Sequence, residues 1–316
     1  MIDVLTRRAE DGSPSQRSFG AREMNMKTMT TRRDFLRASA MAAGCVISFP
    51  RNAFAGQEPG KLNYGVQLYM VRRQAATDLA GILKSIQQIG FTQIELYPVV
   101  YDRPAAELKK IVDDAGLGLV SAHFDYAGFP GKIDYARQLG LKYMVCPMIP
   151  NDQWTSAAGF EKAASDFNRW GSQVNDAGMG FVFHNHCYEF KPLEGGLNGW
   201  QTLMGSTDPT LVNLELDLYW LTQAGQNPAA MMREYKNRVK LIHLKDRKAG
   251  AAIGYVPDAS GQHFTELGKG TIAWPKLLQQ ARWQGVQYAY LDQDETAGPV
   301  VESMTESFGY LKGLSV

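Results

Sequence analysis

Several features that would mark a specialised class of protein are scarce in this sequence. Its three cysteines (Cys45, Cys146 and Cys187) are too few and too scattered among 316 residues for a disulfide framework or a cysteine-based zinc site. The formal net charge of +1 provides no general attraction for nucleic acid. What remains is the composition of an ordinary globular protein, with 45% hydrophobic and 21% charged residues.

The N-terminal segment has the order of elements found in an export signal. Arg32 and Arg33 precede Phe35, a mildly apolar run covers residues 38–49, and residues 53–55 form a small-x-small cleavage triplet. The alternative is an amphipathic first helix. The order resembles a twin-arginine signal, so we predict that residues 1–55 are an extension and signal peptide, with the twin-arginine export machinery as a partner. The product would be periplasmic, and the apolar run is too short for stable membrane insertion.

From residue 60 onward the chain repeats one unit, a short β-rich run followed by a helix-compatible stretch. The runs are NYGVQLY, FTQIELY, LGLVSAHF, KYMVCPM, MGFVFHNH, LVNLELD, VKLIHLKD and VQYAYLD. Eight such units in about 250 residues predict a (β/α)8 TIM barrel, an α/β fold, as a single domain over residues 56–316. The doubly wound alternative lacks a glycine-rich phosphate turn, since QLYMVRRQ does not match GxGxxG.

Alternation along the strands collects polar side chains on one face. In the sixth run Asn213, Glu215 and Asp217 share a face, and the residues between them are apolar. The same parity places the following residues inward on the other strands: Asn63, Gln67, Gln93, Glu95, Ser121, His123, Cys146, His184, His186, His243, Lys245, Tyr290 and Asp292. This polarity lies at the carboxyl ends of the strands, where barrel active sites are built, and we predict the site there.

Imidazoles and carboxylates from strands 5 to 8 would meet at this end without enough basic side chains to neutralise them. Burying them together is costly unless a divalent cation compensates the charge. A mixture of imidazole and carboxylate suits manganese, zinc, iron, cobalt or nickel rather than calcium. We therefore predict a divalent metal ion as cofactor and leave its identity open.

Several segments together resemble the xylose-isomerase-like TIM-barrel family and, within it, the exported sugar phosphate isomerase/epimerase group. They are IELYP, SAH, HNHCYEF, LELDLYW with AGQNP, IHLKD, ELGKGTIAW and YLDQD, in the order of the family and spread over residues 61–314. The ketose epimerases of this family hold one ion with Glu, Asp, His and Glu on strands 5 to 8. The resemblance implies the ligands His184, Asp217, His243 and Asp292, with His and Asp replacing the two glutamates.

The replaced glutamates are also the proton-shuttling bases of those epimerases, so another group must move the proton. The candidates are Glu95, Lys245, Glu189 and His186. A neighbouring cation is expected to lower the pKa of Lys245. The alternatives are an ion pair between Glu95 and Lys245, and a Glu189 that caps the loop after strand 5.

The predicted function is that of a metal-dependent sugar isomerase or epimerase, which abstracts a proton next to a chelated carbonyl of a sugar or keto-sugar. His123, Trp220, Gln67 and Tyr69 are the substrate-binding candidates, because Gln67 and His123 face inward on their strands and the rings of Trp220 and Tyr69 could stack on a sugar. The alternatives are a 3-keto-glycoside lyase or dehydratase and a catalytically inactive sugar-binding barrel. The chain has no dedicated phosphate loop, which favours an unphosphorylated sugar, and homo-oligomerisation stays open.

Endonuclease-IV-type repair enzymes share the barrel and provide a rival interpretation. His123 matches one of their additional zinc ligands, but Cys146 and Trp220 occupy two other ligand positions. Their Asp-x-His sequence is also absent from GQHFTELGKG. We therefore predict no nucleic-acid partner.

Overall fold

The computed structural model describes residues 60–257 and 263–314 and confirms the (β/α)8 barrel. The strands are β1 (Asn63–Gln67), β2 (Gln93–Leu96), β3 (Gly118–His123), β4 (Tyr143–Cys146), β5 (Gly180–His184), β6 (Val212–Asp217), β7 (Val239–Leu244), β8 (Asp246–Arg247), β9 (Phe264–Thr265) and β10 (Tyr288–Leu291). Parallel pairing closes the barrel in the order β1-β10-β7-β6-β5-β4-β3-β2. The predicted signal segment, residues 1–55, lies outside the described residues.

The connections between the barrel strands are helical. In the described part of the chain the α-helices are α1 (Arg72–Thr77), α2 (Leu79–Ile89), α3 (Ala105–Asp114), α4 (Ile133–Leu139), α5 (Ala157–Asp176), α6 (Gly199–Ser206), α7 (Leu218–Gln223), α8 (Pro228–Glu234), α9 (Trp274–Trp283) and α10 (Val300–Gly313). Short 3-10 turns follow several strands, among them Leu68–Val71 after β1 and Tyr188–Phe190 after β5. Within residues 60–257 and 263–314, none of the helices combines the length and hydrophobicity of a membrane span.

The helices cover the outer face of the barrel with an apolar layer. In α2 the buried residues recur at the spacing of one helical face, at Leu79, Ile82, Leu83 and Ile86. Phe181 on β5 packs outward against α5, with its ring centroid 5.1 Å from that of Phe167, and also lies 5.2 Å from Phe129. The hydrophobic core therefore lies between barrel and helices, which leaves the interior of the barrel available for polar groups.

Toward the amino ends of the strands, the interior of the barrel is filled by a mainly apolar cluster. It consists of Val145, Val182, Leu241, Tyr288 and Tyr290. The prediction that Cys146 faces inward was wrong. Cys146 pairs with Phe183 and packs in the outer core, whereas Val145 pairs with Val182 on the interior side. The run KYMVCPM has no contrast between polar and apolar alternate positions, so its parity could not be read correctly.

Between β7 and α9 the chain leaves the barrel through the antiparallel pair of β8 and β9, which we call the neck. Asp246 fastens it, because its carboxylate accepts hydrogen bonds of 2.8–3.2 Å from the backbone N–H groups of Arg247, Gly268, Gly270 and Ile272. A Cβ at Gly270 would lie 2.1 Å from Asp246 Oδ1, so this close approach requires glycine. Asp246 of the HLKD motif thus serves the fold and does not line the site.

Candidate active site and metal centre

A cavity of about 220 Å³ opens at the carboxyl ends of the barrel strands, where the sequence predicted the site. It is lined by all four predicted substrate-binding residues, Gln67, Tyr69, His123 and Trp220. His184, His186, Lys245 and Asp292 also line it. Of the four candidate bases, His186 and Lys245 therefore reach the cavity, whereas Glu95 and Glu189 are fully buried away from its surface.

Five buried side chains from five strands form the inner cluster: Glu95, His123, His184, Glu215 and His243. Three imidazole nitrogens meet one oxygen of Glu215, whose Oε2 lies 2.9 Å from His123 Nε2, 3.0 Å from His184 Nδ1 and 3.2 Å from His243 Nε2. Glu95 Oε2 lies 2.8 Å from His243 Nε2 and 3.3 Å from His123 Nε2. It also accepts a 2.9 Å hydrogen bond from the amide of Gln67.

The charges of the inner cluster depend on one another. Burial and the neighbouring Glu95 raise the pKa of Glu215, but the imidazoles outweigh them and lower it to about 2. Burial opposes the charged form of His123, yet the two glutamates raise its pKa to about 9. For His184, burial and the nearby His243 together hold the pKa well below its ordinary value. Among the described residues, imidazolium groups therefore compensate the charges of the two glutamates.

Beside the inner cluster lies the outer cluster, which consists of Asp217, Lys245, Asp292 and Asp294. The ammonium of Lys245 is 3.1 Å from Asp217 Oδ2, 2.8 Å from Asp292 Oδ2 and 2.5 Å from Asp294 Oδ1. Burial lowers the pKa of Lys245, but the three aspartates raise it well above its ordinary value, so our expectation of a lowered pKa was wrong. Burial likewise raises the pKa of Asp294 to about 6, against the opposing charge of Lys245.

His243 connects the two clusters. Its Nε2 faces Glu95 and Glu215, whereas its Nδ1 lies 3.2 Å from Asp292 Oδ2. The structure shows no ion pair between Glu95 and Lys245, both of which it describes, because each is paired within its own cluster. That alternative from the sequence was therefore wrong.

The four metal ligands implied by the resemblance divide between the clusters. Asp217, His243 and Asp292 offer ligand atoms within 4.8 Å of one another. His184 instead groups with His123, Glu215 and His243, again with ligand atoms within 4.8 Å. The described residues thus offer two groups of potential ligands that share His243.

Glu189 and His186 lie in the loop after β5. Both carboxylate oxygens of Glu189 accept hydrogen bonds from the backbone N–H of His186, at 2.9 and 3.1 Å, as a loop-capping residue would. Burial raises the pKa of Glu189 to about 8. Burial and Lys245 lower the pKa of His186 to about 3, and its buried Nδ1 has no hydrogen-bond partner.

Comparison with known proteins identifies the family. Residues 83–291, more than half of the chain, match the family described as the xylose isomerase-like TIM barrel. The chain belongs to this family. The resemblance noted in the sequence is thereby confirmed.

Relatives of this xylose isomerase-like barrel include named enzymes. An inosose dehydratase from Clostridium beijerinckii is 25% identical over 246 residues, which are 67% of this chain and 82% of that protein. A solved sugar phosphate isomerase/epimerase from Parabacteroides distasonis superposes with a TM-score of 0.66 at 24% identity and covers 83% of this chain and 96% of its own. The IolI protein, solved with a bound zinc atom, has a TM-score of 0.61 at 14% identity and covers 81% and 100%. Both superpositions, being below 25% identity, bear on the fold alone.

Four of the five histidines of this xylose isomerase-like barrel lie around the cavity, at positions 123, 184, 186 and 243. With the glutamates and aspartates of the two clusters they form a buried donor set whose chemistry suits a divalent metal. Glu95 Oε1 and Glu215 Oε1 are buried without hydrogen-bond partners, as expected where a cation is the intended partner.

The sequence reasoning missed three acidic residues of the site. Glu215 was placed on the inward face of its strand but received no role. Asp125 and Asp294 line the cavity and were not singled out. Asp125 lies two residues beyond His123, and Asp294 lies two residues beyond Asp292. Because both of those residues were predicted to face inward, extending the same alternation into the loops would have found the two aspartates.

Proposed function

We propose that this chain is an enzyme that moves protons next to the carbonyl of a sugar-like polyhydroxylated ketone. The reaction is isomerisation or epimerisation if the proton returns to carbon, and dehydration if a neighbouring hydroxyl is lost as water. One observation carries the proposal. A buried ammonium and a carboxylate, Lys245 and Asp294, lie 2.5 Å apart on the wall of the cavity.

The two groups suit the two halves of such a proton transfer. Asp294 accepts the proton as the C–H bond beside the carbonyl breaks, and the electron pair moves toward the carbonyl oxygen. The protonated Lys245 stabilises the negative charge that develops on that oxygen, because a fixed cation in a water-poor site acts strongly on developing charge. In an isomerase Asp294 then returns the proton to the former carbonyl carbon, while the proton of the neighbouring hydroxyl passes to the carbonyl oxygen. In a dehydratase the electron pair instead expels the hydroxyl on the next carbon, which takes the proton held by Asp294 and leaves as water.

A divalent ion held among the buried imidazoles and carboxylates would supply a Lewis acid that polarises the carbonyl. The donor set and the two unpartnered glutamate oxygens support this cofactor. The zinc in the IolI protein is a further support. We leave the identity of the metal open among zinc, manganese, iron, cobalt and nickel.

The cavity favours a neutral substrate. Among its described lining residues are three aspartates, Asp125, Asp292 and Asp294, and one lysine, Lys245, which is already paired with two of them. A phosphate group would find neither an arginine nor an unpaired lysine among these described residues. We therefore propose an unphosphorylated cyclic ketone as substrate, in keeping with the inosose that a relative's name specifies.

The test is proton exchange with solvent. The wild-type protein, loaded with zinc or manganese, is incubated in D2O with inosose, D-fructose or a methyl 3-keto-glucoside. Deuterium uptake beside the carbonyl and any loss of water are then followed by NMR and mass spectrometry. We expect uptake with at least one ketone and a reduction of about 10²–10⁴-fold in Asp294→Asn. Glu295→Gln, an acid-to-amide change one residue away in a side chain bound to Arg72, should keep the wild-type rate.

Two outcomes would contradict this assignment. Full exchange by Asp294→Asn would transfer the role of base to another group, with His186 next in line because it lines the cavity. Binding of a ketone by the wild-type protein without any exchange would favour the sugar-binding barrel.

We further propose that the protein acts in the periplasm after twin-arginine export. The support is the order of Arg32, Arg33, the apolar run 38–49 and the triplet 53–55. Changing both arginines to lysine should retain the precursor in the cytoplasm, because the arginine pair is the recognised element. Fractionation and immunoblotting measure this, with Arg37→Lys as a control that should still be exported. Normal periplasmic levels of the double variant would contradict the proposal.

A further inference from the structure

We propose that this barrel binds its divalent ion in the inner cluster, with His123, His184, Glu215 and His243 as ligands. This set differs from the four positions used by the epimerases of the family, because it replaces Asp217 and Asp292 with His123 and Glu215. The inference deepens the proposed function by assigning the metal site. It can fail separately from that function, since it concerns where the ion binds and not which ketone reacts.

The outer cluster already contains its cation. The ammonium of Lys245 lies within 3.1 Å of oxygens from Asp217, Asp292 and Asp294. An ion bound to Asp217 and Asp292 would have to approach this ammonium, and the two positive charges would repel each other in a buried site. The family's ligand set therefore does not fit this chain as it stands.

The inner cluster has the opposite charge balance. Among the described residues, no lysine or arginine pairs with Glu95 or Glu215, whose contacts are with imidazoles and with the amide of Gln67. One divalent cation with neutral imidazoles would balance these two carboxylates. An unbalanced pair of buried carboxylates would be costly. Oε1 of each glutamate is buried without a hydrogen-bond partner, as are Asp217 Oδ2 and Asp292 Oδ1 in the outer cluster, so the position of Lys245 and not the open acceptor atoms distinguishes the two clusters.

The orientation of His243 supports the same assignment. Metal-bound histidines commonly donate their second ring N–H to a carboxylate, which fixes the ring. With Nε2 facing Glu215 and Nδ1 3.2 Å from Asp292 Oδ2, His243 has this arrangement toward the inner cluster. Asp292 then orients a ligand and does not itself bind the ion.

The inner cluster is also placed where an ion could act on a substrate. His123 and His184 line the cavity, whereas Glu215 and His243 are fully buried behind them. Three imidazoles and a carboxylate are a donor set suited to zinc or another late transition metal, not to calcium or magnesium. We therefore infer a catalytic type of site, open toward the cavity.

The experiment measures metal binding directly. The protein is stripped with a chelator and titrated with Zn²⁺ or Mn²⁺, and its metal content is determined by mass spectrometry. We expect one ion per wild-type chain. Glu215→Gln and His123→Asn should lose it or bind at least about 100-fold more weakly, because each removes a ligand. Asp217→Asn, the matched acid-to-amide change in the outer cluster, should retain one ion. Near-ultraviolet circular dichroism verifies that each variant is folded.

X-ray absorption on the zinc-loaded wild type provides a test that needs no variant. The inner cluster predicts three imidazole ligands, whereas the family's set predicts two. Retention of metal by Glu215→Gln together with its loss in Asp217→Asn would overturn the inference. A wild-type protein with two imidazoles at the ion, or with no ion bound, would overturn it as well.

Discussion

Replacement of Lys245 by methionine is expected to lower the free energy of unfolding by about 3–5 kcal/mol near neutral pH. The side chain is 1% exposed, and its ammonium is the shared partner of Asp217, Asp292 and Asp294. Removing one partner from a buried ion network leaves uncompensated charge, which costs more than the network itself contributes. Urea unfolding followed by circular dichroism measures the change.

The double variant Lys245→Met/Asp292→Asn distinguishes charge from packing. Removing one of the stranded carboxylates should recover roughly 0.5–3 kcal/mol of the loss, the usual range for coupled neighbours. Lys240→Met, on strand β7 just before Lys245, is the matched control. Lys240 Nζ bonds only the backbone carbonyl of Asn237 among its described contacts, and the change should cost less than about 0.5 kcal/mol. Equal stabilities of Lys245→Met and the double variant would contradict the electrostatic explanation.

The pH dependence of stability should contain a large contribution from Glu189. Burial raises its pKa from an ordinary value of 4.5 to about 8. Between these values the folded protein keeps a proton that the unfolded chain releases, so stability falls as pH rises through this window. The shift corresponds to roughly 3–5 kcal/mol by pH 8. Glu189→Gln removes the titration while keeping an oxygen to accept the His186 N–H, so it should be more stable than wild type at pH 8 and similar at pH 4.5.

Urea unfolding midpoints from pH 4.5 to 8.5 provide the measurement. Glu194→Gln, an exposed glutamate in the same loop region, should leave the wild-type curve unchanged. Parallel curves for wild type and Glu189→Gln would mean that Glu189 is ionised in the folded protein, and its role as a protonated loop cap would be abandoned.

The sequence was sufficient to predict the barrel and the inward face of most strands, because both depend on local periodicity. In LVNLELD the alternation of polar and apolar residues is strong, and Glu215 and Asp217 both face inward and are fully buried. The strand containing Cys146, YMVC, has no charged residue on either face, so the same reasoning had nothing to distinguish its two faces. The inward face was therefore predicted correctly where polar and apolar residues alternate along the strand, and not where this alternation is missing.

The height of each side chain along the barrel axis could not be predicted in the same way. Which residues of different strands lie side by side depends on the register, and the pairing of β6 with β7 shifts between Leu214 and Glu215. This shifted register places Asp217 beside His243, while the register of β5 with β6 places Glu215 beside His184. A long side chain adds further uncertainty, since Lys245 reaches aspartates on β6 and beyond β10. The partners in the two clusters therefore emerge only from the closed barrel.

Because the neck holds both of its ends, the segment between β8 and β9 could be replaced as a unit by a segment of different sequence. Its ends pair with each other, and Asp246 accepts hydrogen bonds from backbone amides of the turn that follows β9, so these attachments use no side chain of the segment itself. Changing the length of such a loop costs little, about 0.6 kcal/mol for a doubling. Pro257 of this segment contributes to the cavity wall. Grafting the corresponding segment from a relative, with Asp246 and Gly270 kept, would therefore change the wall of the cavity while the inner and outer clusters stay in place.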